Sequence, residues 1–257
     1  MDSEVLCQLC DPDTRYEFEL DGSTLRNTAT GRVYPIRDGI PLFVSTLSGS
    51  NLKYQALYDR IAPGYDIAES LVRLFKRIPD PRPEFIGELE IGPGARVLEV
   101  GVGTGANLRY LPGDIDFYGI DISWGMLRKC RKNLRKWRRT AHLFQAQACR
   151  LPFRAGVFDC VFHVGGMNFF SEQERAIREM IWVAKPGTKI VIVDETEKEV
   201  RENYQKNPTT KAYFPPGTEA VRCPIELVPE DMEEIRAREI ADGRLYCLSF
   251  RKPAAPR

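Results

Sequence analysis

From Arg96 onward, short apolar runs alternate with segments whose apolar residues recur every three or four positions. The runs predict strands over 96–100, 116–121, 142–147, 157–163 and 189–194, and the periodic segments predict helices over 105–111, 123–139 and 171–183. Ser171 with Glu174 reads as the capping box of the last helix. Strands interleaved with helices predict a mostly parallel sheet covered on both faces. The run from Val157 to His163, rich in Val and Phe, suits a central buried strand. Residues 235–240 and 244–250 flank Asp242-Gly243 as a hairpin, which completes a seven-strand plan.

The first 95 residues read differently. Residues 1–47 predict short strands turned at Asp21-Gly22 and Asp38-Gly39. Residues 48–95 predict two helices, Leu52 to Arg60 and Ala68 to Arg77, stopped by Pro79, Pro81 and Pro83. The expected organisation is a small β module (1–47), a helical lead-in that caps the site (48–95) and an α/β domain (96–257).

Composition narrows the setting. With 43% hydrophobic and 28% charged residues, the chain can bury a substantial core. A formal net charge of +1 gives no bulk attraction to nucleic acid or membrane, and no apolar run is long enough to cross a bilayer. Residues 1–10 lack the apolar core of a secretory signal. Seven cysteines, an odd count, suit reduced thiols, and those at 130, 160 and 247 fall in apolar patterns typical of core packing. A cytoplasmic protein is expected.

The chemistry concentrates in Val97-Leu98-Glu99-Val100-Gly101-Val102-Gly103-Thr104-Gly105. A buried strand running into alternate glycines lets the backbone turn sharply and a ligand approach the peptide plane. The spacing G-x-G-x-G differs from the G-x-G-x-x-G of dinucleotide binders, and no Lys-Ser/Thr pair follows as in a P-loop. Asp121, twenty residues after Gly101, ends the second strand, where a carboxylate can accept both ribose hydroxyls. Glu99 is placed to orient the cationic amino-acid end of a ligand. An NAD site and a nucleotide fold without ligand are the alternatives.

V-L-E-V-G-V-G-T-G, G-I-D-I-S-x-G-M-L at 119–127, L-P-F-R-x-G-x-F-D at 151–159 and E-M-x-x-V-A-K-P-G at 179–187 together resemble class I S-adenosylmethionine-dependent methyltransferases of the ubiquinone/menaquinone C-methyltransferase type. The resemblance covers about residues 54–251 and implies a Rossmann-like sheet with S-adenosylmethionine as cofactor. It implies that Glu99, Gly101, Gly103 and Gly105 form the methionine side, Asp121 binds ribose, and Ile122 and Met126 border adenine. Where that family often has an Asp for the adenine amine, this chain has Gln147-Ala148, whose Gln carbonyl can accept the same hydrogen bond. Tyr58 and Tyr65 match a segment that closes over the cofactor in relatives, where aromatic faces gain cation–π energy from a sulfonium.

Methyl transfer is an in-line displacement, so positioning and exclusion of water matter most, and a base is needed only when the acceptor must lose a proton. His163, at the end of the fourth strand, is the catalytic candidate, as base or acceptor-orienting group; His142 is expected to be structural. The N-P-P-Y-type segment of many amino-group methyltransferases is absent, which favours a small-molecule or lipid-like acceptor attacked at carbon, oxygen or sulfur. Residues 203–220, with Tyr204, Tyr213, Phe214 and Pro215-Pro216, are the expected lid.

Cys7-x-x-Cys10 and the segment Gly31 to Pro41 resemble a small zinc-ribbon-like module that also occurs as the activating subunit of certain RNA and protein methyltransferases. A structural zinc needs four ligands, and Asn27, Thr28 and Thr30 stand where the second pair should be, so no stable metal is expected. Leu127 to Arg139 forms a basic helix, with Leu127, Cys130, Leu134 and Trp137 on its buried face and Lys and Arg elsewhere. Anionic lipid headgroups or RNA phosphates are its candidate partners. An RNA or protein methyltransferase and a noncatalytic cofactor-binding or scaffold protein remain the competing readings.

Overall fold

The computed structural model describes residues 1–44, 49–76, 79–204 and 222–254. A helix α1 (Ser3–Gln8) leads into strands β1 (Phe18–Asp21), β2 (Thr24–Asn27), β3 (Val33–Arg37) and β4 (Ile40–Pro41), which pair in that order. The expected turn at Asp38-Gly39 joins β3 to β4, and both of its residues have positive φ, 55° and 79°, as a tight hairpin turn requires. Helices α2 (Gly49–Ile61), α3 (Tyr65–Lys76) and the short α4 (Arg82–Ile86) follow. The remaining elements are β5 (Arg96–Val100), β6 (Asp116–Asp121), α5 (Trp124–Trp137), β7 (His142–Gln145), β8 (Cys160–Val164), α6 (Gln173–Val183), β9 (Lys189–Glu195), β10 (Glu233–Ile240) and β11 (Leu245–Arg251).

The seven strands run in the order β10-β11-β9-β8-β5-β6-β7. Strands β5 to β9 are parallel to their neighbours, and the β10–β11 hairpin adds antiparallel to β9. Strand order reverses between β5 and β8, which opens a crevice at their carboxyl ends. The interior residues of β5, β6, β8 and β9 are buried, and burial on both faces explains their continuous apolar sequence. At one edge, β10 is mostly exposed and carries Glu233, Glu234, Arg236, Arg238 and Glu239, charges that discourage edge-to-edge pairing.

The other edge is closed by the chain's own beginning. Leu42 bridges Gln145 of β7 in parallel, and the Phe43 amide donates to the Gln145 carbonyl at 2.8 Å. Gln8 to Cys10 pair with residues 152–154 through Cys10 N to Pro152 O (3.1 Å) and Arg154 N to Gln8 O (2.9 Å). Val5, Leu9, Phe18, Leu25, Tyr34 and Phe43 enter one core with Phe144, Phe153 and Met180. The crossover from β7 to β8 contains no helix, so the β module covers that stretch of the sheet face. On the opposite face Leu127, Cys130 and Leu134 of α5 pack with Phe85, Leu108 and Phe162.

Within the module, Asp11 Oδ1 accepts from the amides of Asp13 and Thr14, and Asn27 Oδ1 accepts from those of Ala29 and Thr30. Asn27 also donates to Thr14 Oγ1 (2.9 Å), and Tyr34 OH donates to Asp11 Oδ2 (2.8 Å). Burial pushes the Asp11 carboxyl up, but bonds from Asn27, Thr14, Tyr34 and Asp13 hold it below the usual value. The positions expected for the second metal pair thus tie two equivalent turns together. Cys7 is exposed and Cys10 buried, and among the described residues no cluster of three His, Cys, Asp or Glu is placed to hold a metal.

Several local expectations need correction. Residues 106–110 form a 3-10 turn rather than an α-helix, because Gly105 enters it at φ 78° and Asn107 turns inward to Glu99. Ser171 does not cap α6. The helix begins at Gln173 after Glu172, with no side-chain cap, and Glu172 instead accepts from Cys149 and Arg175. β7 stops at Gln145: the Ala146 amide makes the last bond to β6, at Asp121 O (3.1 Å), and the chain then turns with the Arg150 amide bonded to Gln147 O (3.0 Å). β8 starts only at Cys160, because the Val157 and Phe158 amides bond to Val183 O instead. No helix among the described residues is long and apolar enough to cross a membrane.

Candidate functional site

Gly101, Gly103 and Gly105 all have positive φ (75°, 52° and 78°), a region costly for residues with a Cβ. At Gly105 a Cβ would stand 2.7 Å from Cys130 Sγ, so this glycine lets the loop press on α5. At Gly103 a Cβ would meet nothing within 4 Å. The first position serves packing, and the second faces open space in which a ligand can lie against the backbone.

Two buried carboxylates flank that space. Asp121 Oδ2 accepts from the Gly103 amide and Oδ1 from the Ser123 amide, both at 2.8 Å, so the carboxylate faces the glycine loop. Burial, with Asp59 adding, raises it to about 6 against the opposing pull of those amides. Each oxygen keeps a further lone pair for a ribose hydroxyl. Glu99 Oε1 accepts from Asn107 Nδ2 at 2.6 Å, and Asn107 Oδ1 in turn accepts from Arg82 Nε at 2.8 Å. Glu99 Oε2 is buried and has no partner among the described residues. An acceptor left bare in the interior is costly, and an ammonium donor would satisfy it.

Burial raises the Glu99 carboxyl to about 8, outweighing Asn107 and Arg82. Below that pH the empty site holds the proton, and a bound cation favours the carboxylate. Binding of a ligand whose ammonium meets Glu99 is therefore expected at pH 7 to release close to one proton, read by calorimetry in buffers of different ionisation enthalpy. Glu99→Gln should abolish the release. An unchanged release in that variant would move the proton elsewhere.

Helix α2 closes the crevice from above. Gln55 Nε2 donates to Ile122 O (3.0 Å), Asn51 Nδ2 to Gln147 Oε1 (3.3 Å), and Tyr54 stacks on Phe169 with centroids 4.4 Å apart. Asp59 Oδ1 accepts from Ser123 Oγ (2.6 Å) and the Gly125 amide (2.7 Å), which pins α2 to the start of α5. Tyr58 and Tyr65 lie with ring centroids 6.5 Å apart, and burial, then Tyr65, Glu195, Asp194 and Asp121, hold the Tyr58 hydroxyl well above its usual value. Tyr58 is thus within electrostatic reach of the acids that end β6 and β9, and Tyr65 lies beside it. Met126 is buried beside the N-cap bond from its amide to Ser123 Oγ (3.0 Å), and Ala148 is half-buried next to Gln147. Of the residues expected on the adenine side, Gln147 and Ile122 are thus both tied to α2, one helical turn apart, although Asn51 already uses one lone pair of the Gln147 carbonyl.

His163 is fully buried, with Nδ1 2.6 Å from Val100 O. A carbonyl only accepts, so Nδ1 carries the proton and Nε2 the lone pair. Burial lowers the imidazole to about 4, against the Val100 bond and Glu195. Nε2 has no partner among the described residues, and the ring lies so near Gly101 that a Cβ there would come within 3.2 Å. Asp194, missed in the sequence reading, accepts from the Gly166 and Asn168 amides (3.0 and 2.8 Å) and shapes the turn after β8. His142, by contrast, pairs with Asp116 at 3.3 Å at the far end of the sheet. That end also holds a cleft of about 360 Å³, whose charged lining pairs internally as Arg96–Asp116 and Lys185–Asp159. The lid segment beyond Tyr204 lies outside the described residues up to 221, and the Tyr204 side chain is not described.

Strand order, a glycine turn after β5 and a buried acid ending β6 define an α/β fold of the class that takes its ligand at the carboxyl ends of its strands. Residues 97–187 match the family model described as a methyltransferase domain. The ubiquinone/menaquinone biosynthesis C-methyltransferase of Yersinia enterocolitica is 30% identical over 191 residues, covering 70% of this chain and 71% of that protein. The demethylmenaquinone methyltransferase of Renibacterium salmoninarum is 30% identical over 145 residues, 54% of this chain, which spans only 57% of that relative's length. A solved S-adenosylmethionine-dependent methyltransferase from Aquifex aeolicus shares the fold, with TM-score 0.53 and 20% identity over 66% of this chain and 88% of that one. The chain belongs to the class I S-adenosylmethionine-dependent methyltransferases.

Proposed function

We propose that the protein transfers a methyl group from S-adenosylmethionine to a small, apolar, lipid-like acceptor. The observation that carries the cofactor assignment is the bare Glu99 Oε2 on one side of the open space at Gly103, with Asp121 on the other. Asp121 would hold the ribose, Glu99 the ammonium, Ile122, Met126, Gln147 and Ala148 the adenine, while Tyr58 and Tyr65 exclude water. When bound, S-adenosylmethionine supplies a sulfonium methyl that a nucleophile displaces in line.

A neutral His163, lowered to about 4, is a weak base at neutral pH but a good hydrogen-bond acceptor. Its Nε2 would orient an acceptor hydroxyl rather than deprotonate it. The two relatives are named for quinone methylation, which supports a quinone-like ring as acceptor here. The seven free cysteines support a reducing, cytoplasmic setting. Incubating the protein with methyl-labelled cofactor and fractionated extracts tests the reading. Label is expected in an apolar small-molecule fraction; label in RNA or protein, or none despite cofactor binding, would overturn it.

A further inference from the structure

Helix α3 presents apolar side chains to solvent while an acid in its first turn faces the protein: Asp66 Oδ2 accepts from Asn133 Nδ2 of α5 at 2.9 Å and pairs with Lys129 at 3.5 Å. Its apolar stripe faces outward, with Ile67 63%, Leu71 46%, Leu74 72% and Phe75 81% exposed. The four positions follow at i, i+4, i+7 and i+8, so they form one continuous ridge. Soluble proteins rarely leave such a ridge to water without a partner.

The neighbouring helix indicates which partner. α5 has no acidic residue in its 14 positions, and Arg128, Lys132, Arg135 and Lys136 project from it exposed. Not all of the basic stretch is available. Arg131 is held by the carbonyl and carboxylate of Asp38, and Arg139 by the Leu111 and Pro112 carbonyls. Lys132 and Lys136 lie one helical turn from Lys129 or Asn133, which make the α3 contact, and Arg128 and Arg135 continue the exposed basic face beyond them. An apolar ridge flanked by a ridge of cations matches a surface that is apolar beneath and anionic above, as a bilayer bearing anionic headgroups is. RNA would use the cations and leave the apolar ridge wet.

We propose that α3 and α5 together dock the protein on an anionic lipid surface, with α3 lying in the interface and its apolar ridge inserted. The first residue of α3 is Tyr65, its ring centroid 6.5 Å from that of Tyr58, so docking would bring the Tyr58 side of the candidate site toward the bilayer. This deepens the lipid-like acceptor reading, but docking itself needs neither cofactor nor turnover.

Flotation of the full chain with phosphatidylcholine vesicles, with and without added phosphatidylglycerol, tests it without cofactor present. Recovery with the anionic vesicles is expected, falling as salt is raised. Leu74→Ser combined with Phe75→Ser should lower recovery at least tenfold with little change in Tm. Arg128→Gln with Arg135→Gln should lower it on anionic vesicles. Absence of the wild-type chain from the floated anionic vesicles would overturn the proposal, as would recovery indifferent to Leu74 and Phe75. A large fall in Tm for the Leu74 and Phe75 variant would show the ridge covered within the chain. Loss of a dimer in that variant would assign the ridge to a second copy. Salt-sensitive RNA binding without flotation would give the cations to nucleic acid. Each of these three results also overturns docking, and none bears on methyl transfer.

Discussion

Gly103→Leu is expected to weaken S-adenosylmethionine binding at least 100-fold, about 2.8 kcal/mol, while the protein stays folded. Two glycines of one loop differ in what surrounds them. A Cβ at Gly103 meets nothing within 4 Å, so leucine there collides with ligand rather than protein. Its cost to folding is limited to the left-handed backbone at φ 52°, about 1–2 kcal/mol. At Gly105 the same Cβ would meet Cys130 Sγ at 2.7 Å, so Gly105→Ala should lower Tm as well as affinity. Calorimetric titration beside thermal unfolding distinguishes the two. Full-strength binding by the folded Gly103→Leu protein would place the ligand elsewhere.

The second large effect is expected at Asp121. Asp121→Ala removes a carboxylate that fixes the Gly103 and Ser123 amides and, on this account, the ribose. Loss of a charged hydrogen-bonding partner costs about 1–3 kcal/mol, or roughly 5- to 150-fold in Kd. A ligand lacking the ribose hydroxyls separates loop shaping from sugar recognition. Removing the hydroxyls should weaken binding to the wild type but make little further difference in Asp121→Ala. Equal losses in both proteins would confine Asp121 to shaping the loop.

The strands were legible where burial is two-sided. β5 and β6 begin and end as the sequence predicts, because each is an apolar run bounded by a turn and by the acid or glycine of the site. The glycines and Asp121 were readable for the same reason, since their chemistry is local to one strand–turn–helix unit. Tyr58 of α2 was read, but its polar residues were missed although a signal existed: Asn51, Gln55 and Asp59 recur at four-residue spacing and form the polar face over the crevice. Asp194 was also visible in principle, as an acid ending an apolar strand just as Asp121 does.

Other features depend on contacts between distant parts of the chain. Nothing near Leu9 or Phe43 says that they will pair with the crossover after β7 and with the β7 edge, because their partners are more than a hundred residues away. The start of α6 moved because Glu172 bonds to Cys149 and Arg175, and Cys149 lies in another segment. The outward turn of the α3 ridge is likewise tied to the bond between Asp66 and Asn133 of α5, a pairing that helical periodicity alone cannot foresee.

Titration of the purified chain with S-adenosylmethionine at pH 7, followed by calorimetry, puts the ammonium niche and the ribose acid to a direct test. Saturable binding at one site per chain, accompanied by proton release that disappears in Glu99→Gln, is the predicted result. No detectable heat at millimolar cofactor, from a protein shown to be folded, would contradict the account.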